Sequence, residues 1–213
     1  MSELEAIVAA EVRTKMSAGV LLADAYFSVG YCARLDWDYP KAIYALSKAI
    51  AIHPENGLYL QALGIAYADS NENGKAVECF RACLSLECRG LTVELEEENP
   101  YFHMGWCLED LGRLDEAEQV YREGLKNVPS HYQGFLRLGQ LLQCRLKFDE
   151  AVAVYESGIG SCEMHNPKAL GRIVMRDIRH NLDRARRELG YETYAPTPEE
   201  KRLDVELMSE GIR

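Results

Sequence analysis

The chain has 213 residues, 47% of them hydrophobic, with a formal net charge of −10. That length and apolar content suffice for one elongated domain with its own core. The acidic balance argues against broad nucleic-acid binding, and no apolar run approaches the ~20 residues that span a bilayer.

In chain order, residues 1–22 come first. Leu4, Ile7, Val8, Val12 and Met16 recur there at helical spacing and predict an N-terminal helical cap. Glu3, Glu5, Glu11, Arg13 and Lys15 interrupt the segment, so it lacks a signal-peptide core and a cytoplasmic location is expected. From residue 23 a repeat sets in. Val29-Gly30, Leu63-Gly64, Met104-Gly105 and Leu138-Gly139 stand 34, 41 and 34 residues apart, and Ala42, Ala76, Ala117 and Ala151 keep the same beat. The units are 23–56, 57–90, 98–131 and 132–165, with 91–97 as an insertion. Large apolar residues stand at positions 4, 7 and 11, except for Ala33 at position 11 of the first unit, around a small one at 8. A small residue follows at 20, a large one at 24 (Leu46, Phe80, Tyr121, Tyr155) and a small one at 27. This is the pattern of two antiparallel helices that approach closely through small residues and need neighbouring units to bury their apolar face.

Helix boundaries agree with this register. Asp38 precedes Tyr39-Pro40, and Asn99-Pro100 opens the first helix of the third unit. Asn166-Pro167 opens a capping helix in 166–190, with Gly190 as its stop. Leu170, Val174, Ile178, Ala185 and Leu189 share one face of that helix and predict a cover for the fourth unit. In the tail, 191–213, Thr197-Pro198-Glu199-Glu200 reads as a capping box before a short amphipathic helix.

The pattern resembles the tetratricopeptide repeat (TPR) family over 23–165. The third unit carries it most fully: Tyr101-x-x-Met104-Gly105-x-x-Leu108, then Gly112-Arg113-Leu114-Asp115-Glu116-Ala117, Tyr121 and Pro129. Departures are Ala33 where an aromatic is usual, and Cys88 and Glu163 where proline is usual. The resemblance implies an all-α, right-handed superhelical solenoid of four helix-turn-helix repeats, and a concave groove lined by positions 2, 5, 9 and 12. Those positions hold Asp24, Phe27, Tyr31 and Arg34, then Leu58, Gln61, Ile65 and Ala68. They continue with Asn99, Phe102, Trp106 and Glu109, then Gln133, Leu136, Gln140 and Gln143. From these the expected protein-binding set is Phe27, Tyr31, Leu58, Gln61, Ile65, Asn99, Phe102, Trp106, Gln133, Leu136 and Gln140. Packing against neighbouring repeats is the competing role for Phe27, Ile65 and Leu136.

Some members of the family grip the C-terminal carboxylate of heat-shock chaperones with a Lys, Asn, Asn, Lys, Arg clamp. The matching positions here are Phe27, Tyr31, Ala62, Asn99 and His103, so the resemblance implies no such clamp. The expected ligand is a peptide segment with apolar anchors, its backbone met by Gln and Asn. Pro100-Tyr101-Phe102-His103 followed by Cys107-Leu108 also looks like the third repeat of acidic secretion chaperones, which usually carry three repeats and no insertion.

Motifs of catalysis and nucleotide binding are missing from the sequence, and Gly158-Ile159-Gly160 is a lone G-x-G at a helix end. The seven cysteines form no C-x-x-C and read as small buried hydrophobes in a reducing compartment. Cys162 and His165 have ligand-like spacing, but two ligands make no zinc site. His53 and His131 fall at turns between units, and His103 falls beside the groove positions. Residues 168–190 hold seven basic and three acidic groups, a balance of +4 that leaves −14 on the rest of the chain. The expectation is therefore a non-enzymatic interaction module, an adaptor, scaffold or co-chaperone, with no cofactor, metal, nucleic acid or membrane. A secretion-type chaperone and a head-to-tail, salt-sensitive oligomer stay open beside it.

Overall fold

The computed structural model describes the backbone of residues 3–86, 99–129, 131–165 and 169–190, and side chains within 19–86, 99–129, 131–161 and 176–190. The insertion 91–97, Cys88, Asn166-Pro167, the side chains of Cys162 and His165, and the 191–213 tail lie outside these ranges. Among the described residues there are nine helices and no strand: α1 (Glu3–Leu35), α2 (Tyr39–Ile52), α3 (Gly57–Asp69), α4 (Asn73–Ser85), α5 (Pro100–Asp110), α6 (Leu114–Asn127), α7 (Tyr132–Cys144), α8 (Phe148–His165) and α9 (Ala169–Glu188). They fall into two compact units, Met1–Gly134 and Phe135–Arg213.

In the first unit each hairpin pairs its own two helices, α1 with α2, α3 with α4 and α5 with α6. Each second helix also packs on the next hairpin, α2 on α3 and α4 on α5. The close approach has the predicted cause. A Cβ on Gly30 would lie 2.6 Å from Leu46 Cγ, one on Gly64 would lie 2.7 Å from Phe80 Cε1, and one on Gly105 would collide with the Tyr121 ring. Position 8 is therefore the socket for the position 24 side chain of its own repeat. Leu46, Phe80 and Tyr121 are fully buried, each stabilising the hairpin by roughly 1.5–3 kcal/mol through lost apolar exposure. Ala33, Ala42 and Leu46 form one cluster with Ala62, Leu63 and Ala66 of the next hairpin, so the core runs on from the first hairpin into the second.

Helix starts follow the sequence signals at Asp38 and Asn99, and Asn56 supplies a further cap. Asp38 Oδ1 accepts from Lys41 N at 3.2 Å, Asn56 Oδ1 accepts from Leu58 N at 3.0 Å, and Asn99 Oδ1 accepts from Tyr101 N at 3.1 Å. Each satisfies an amide that the first turn leaves unpaired. The first helix of every repeat also ends in one way. Trp37, Asn71, Gly112 and Leu146, all at position 15, have φ of 62°, 63°, 72° and 58°. The following amide reaches back five residues: Asp38 N to Ala33 O, Glu72 N to Tyr67 O, Arg113 N to Leu108 O and Lys147 N to Leu142 O, at 2.8–2.9 Å. These are left-handed caps that occupy orphan carbonyls of the last turn.

One boundary differs from the sequence reading. Residues 3–22 do not form a separate element, because α1 runs without a break from Glu3 to Leu35. Nothing at 19–22 stops a helix, and Gly19 is an isolated glycine inside a run of good helix formers.

In the second unit, a Cβ on Gly139 of α7 would collide with the Tyr155 ring of α8, and one on Gly158 would lie 2.8 Å from Phe135 Cβ. The same sockets thus operate here. Helix α9 packs on α8 through buried Ile178, Leu182 and Ala185. The side chains of Leu170 and Val174, on the face read as a cover, lie outside the described set. Gly190 follows α9 with φ of 80°, as its stop role requires.

Candidate functional site

The expected groove residues divide by burial. Gln61, Ile65, Asn99 and Phe102 are buried. Asn99 is occupied as the cap of α5. The Phe102 ring is stacked 3.7 Å from His131 and 6.1 Å from Tyr121. Phe27, Tyr31, Leu58, Leu136 and Gln140 are half-buried, and Gln133 is exposed. Trp106 keeps 44% of its surface exposed.

In the first repeat pair the structure brings Phe27, Tyr31 and Tyr59 together. Phe27 lies 6.1 Å from Tyr31 and stacks at 5.3 Å on Tyr59. The Arg34 guanidinium sits 5.1 Å over the Tyr31 ring and also pairs with Asp69 of the next hairpin at 3.3 Å. The Tyr59 hydroxyl donates to Asp24. Burial, and then the bond and charge of Asp24, push the Tyr59 phenol up to about 12. These rings are thus held in place by a cation at one end and a carboxylate at the other. A fixed aromatic with a polar edge suits a protein contact, because little side-chain entropy remains to be lost on binding.

The third repeat supplies Trp106 on α5. Beside its register, Glu109 accepts from the Tyr121 hydroxyl, and His103 stacks 5.9 Å from Phe80 of the previous repeat. The clamp positions therefore hold an aromatic pair, a buried alanine, a helix cap and a stacked imidazole. None presents the cationic and amide set that a terminal carboxylate needs.

Sequence reasoning missed the cross-repeat polar links: Arg34 to Asp69, Tyr59 to Asp24, Asn73 to Asp110 at 3.2 Å, and Arg81 to Glu116 at 2.6 Å. Asp69 and Asp110 share position 13, a signal that comparing the units would have exposed. It also placed His131 only at a polar turn. The imidazole is buried and its Nδ1 accepts from Gly134 N at 2.9 Å, so it starts α7 as a cap.

Among the described residues, no group of three or more His, Cys, Asp or Glu side chains could hold a metal ion, and no helix is long and apolar enough to cross a membrane. Cys32, Cys79, Cys83, Cys107 and Cys144 are free thiols. Burial pushes Cys79 up to about 11 and Cys107 up to about 12, with Glu78 and Asp110 adding to the respective shifts. Both are poor nucleophiles near neutral pH.

The sequence model of the tetratricopeptide repeat family matches residues 59–87 and 99–131. Those two segments are tetratricopeptide repeats. The chain is similar to protein bimA of Emericella nidulans, 24% identical over 116 residues, which is 54% of this chain and 14% of bimA. The chain thus matches a small part of that relative's length. Among solved structures it is similar to MamA (residues 41 to the end) from Desulfovibrio magneticus. The TM-score is 0.62 with 12% identity, covering 89% of this chain and 94% of that one. It is also similar to the first TPR of Spaghetti bound to the HSP90 peptide SRMEEVD, with a TM-score of 0.53 and 20% identity over 59% of this chain and 94% of that one. At these identities the likeness is one of fold.

Proposed function

We propose that this TPR chain is a non-enzymatic, cytoplasmic protein-interaction module that holds a peptide segment against the first helices of its repeats. Tyr31 and Trp106 would be the anchors. The observation that carries the reading is their shared place. Both stand at position 9, where Tyr31 is half-buried and Trp106 remains 44% exposed. Large rings with a polar handle at such positions are enriched at interfaces. The family is in general an interaction fold, and the Spaghetti relative holds a peptide. Five free thiols among the described residues support a reducing compartment.

The ligand differs in kind from that relative's peptide. Phe27, Tyr31, Ala62, Asn99 and His103 lack the clamp chemistry, so this chain selects an internal segment with apolar side chains over an acidic C-terminus. A role as adaptor, scaffold or chaperone follows from whichever protein carries that segment.

The test uses the full chain with Trp37→Phe, which leaves Trp106 as the sole indole reporter, against arrayed internal peptides and SRMEEVD. Apolar-anchored peptides should shift the Trp106 emission, and their affinity should fall about tenfold or more in Tyr31→Ala/Trp106→Ala, a loss expected for hot-spot rings. That double variant is followed by peptide anisotropy. Equal affinity in the double variant, or preference for SRMEEVD, would sink the reading.

A further inference from the structure

Within the first unit, positions 3, 6, 7 and 10 of a repeat receive the repeat before it. In the second repeat these are Tyr59, Ala62, Leu63 and Ala66, all buried, three of them in the cluster shared with α1 and α2. In the third repeat Met104 and Cys107 are buried at positions 7 and 10, and His103 at position 6 stacks on Phe80 of the second. In the first repeat the same positions are Ala25, Ser28, Val29 and Cys32, and all four are exposed. Leucines extend this strip at both ends. Leu22 is 52% exposed, Val29 47% and Leu35 57%.

The strip is a repeat-to-repeat interface without its other half. The chain's own leading residues do not cover it, because they continue α1 as one helix to Glu3 and so cannot fold back on it. Its one interior hydroxyl is already satisfied, since Ser28 Oγ donates to Asp24 O at 2.9 Å. Burying it thus leaves no unpaired donor.

We propose that a second copy of this chain covers the strip, with the two α1 helices packed antiparallel about a two-fold axis beside Ser28. The strip is self-complementary in that register. Leu22 meets Leu35 of the second copy, Ala25 meets Cys32 of the second copy, and Val29 lies next to Ser28 of the second copy. The larger side chains stand at both ends and the smaller ones between them, so the helices approach closely at the axis. A two-fold interface requires this kind of pairing, in which one patch matches itself reversed. The contact is apolar and is independent of the peptide-binding reading.

Sedimentation velocity of the full chain over a concentration series, in about 0.15 M and about 1 M salt, should show a dimer at both salt levels. Val29→Glu should weaken it about a hundredfold or more while the helical spectrum and melting temperature stay close to wild type, because Val29 is exposed in the single chain. For the register, Ala25→Cys in a Cys144→Ser background is oxidised with diamide. A covalent dimer should form, and it should vanish when Cys32→Ser is added. A chain that stays monomeric leaves the strip to the 191–213 segment or to another protein and overturns the proposal. So does a dimer that survives Val29→Glu, a dimer lost only at high salt, or a cross-link that does not depend on Cys32.

Discussion

The Tyr155 hydroxyl of α8 donates a 2.7 Å hydrogen bond to Gln143 Oε1 of α7, and Gln143 Nε2 in turn donates to Asn181 O of α9 at 3.2 Å. One amide side chain therefore ties three helices of the second unit. Tyr121 and Glu109 repeat the motif in the third repeat, again joining positions 24 and 12. Where position 24 has no hydroxyl, as with Leu46 and Phe80, position 12 is Arg34 or Ala68. Tyr155→Phe keeps the ring in its socket and leaves Gln143 Oε1 without this donor. It should cost about 1–2 kcal/mol, read as a lower urea midpoint with the slope unchanged.

The glycine sockets predict a sharper loss. Gly139→Ala places a methyl inside the Tyr155 ring, and Gly105→Ala does the same to Tyr121. Neither ring can retreat, since both are fully buried. Each substitution should destabilise by roughly 1–3 kcal/mol or more, although alanine is the better helix former. Gly74→Ala, where an added Cβ meets nothing within 4 Å, should instead be neutral or stabilising in the same thermal melt.

Position 15 predicts a gain. Leu146 holds φ of 58° with 75% of its surface exposed, so it carries left-handed strain without the return of a buried side chain. Gly112 occupies the equivalent turn at no steric cost. Leu146→Gly or Leu146→Asn should stabilise the protein by about 1 kcal/mol, visible as a rise of about 2–4 °C in melting temperature for a chain of this size. A fall in Tm would show that Leu146 makes a contact worth more than the strain.

Alkaline pH should loosen the fold in stages. Cys79 and Cys107, raised from 9.0 to about 11 and about 12 mainly by burial, stay protonated in the folded chain after the unfolded chain has lost those protons. Their stability contribution is whole below about pH 9 and is lost as pH climbs through the folded values. Tyr59, raised from 10.0 to about 12, adds to the decline above pH 10, and so does Tyr155, raised chiefly by burial. Urea midpoints should therefore fall from about pH 9 upward. Cys107→Ala should flatten the first part of that decline. An unchanged slope in this variant would remove Cys107 as a cause.

The hairpins were legible because their determinants lie in the covalent order. A glycine at position 8 and a ring at position 24 meet inside one repeat, and every repeat samples the pair again. The groove was less legible because exposure there is set by whichever residue packs on each position, from the same repeat or the next. Ile65 and Tyr31 share position 9, yet Ile65 is buried and Tyr31 is half-exposed. Phe27 and Phe102 share position 5, and each is claimed by a different ring, Tyr59 in one case and His131 in the other. The 1–22 segment reads as a cap for a related reason. A capping element and a helix extension have the same 3.6-residue period, and only a stop signal would separate them.

The cross-repeat links carry a consequence for how the chain is made. Arg34 reaches 35 residues ahead to Asp69, Asn73 reaches 37 to Asp110, and Arg81 reaches 35 to Glu116. Each link closes over about one repeat, so a hairpin on a growing chain waits only for its successor and never for the far terminus. Synthesis at about 5–20 residues per second would complete each link within seconds of the previous one. Nascent chains stalled at successive lengths should then gain protease resistance in steps one repeat long.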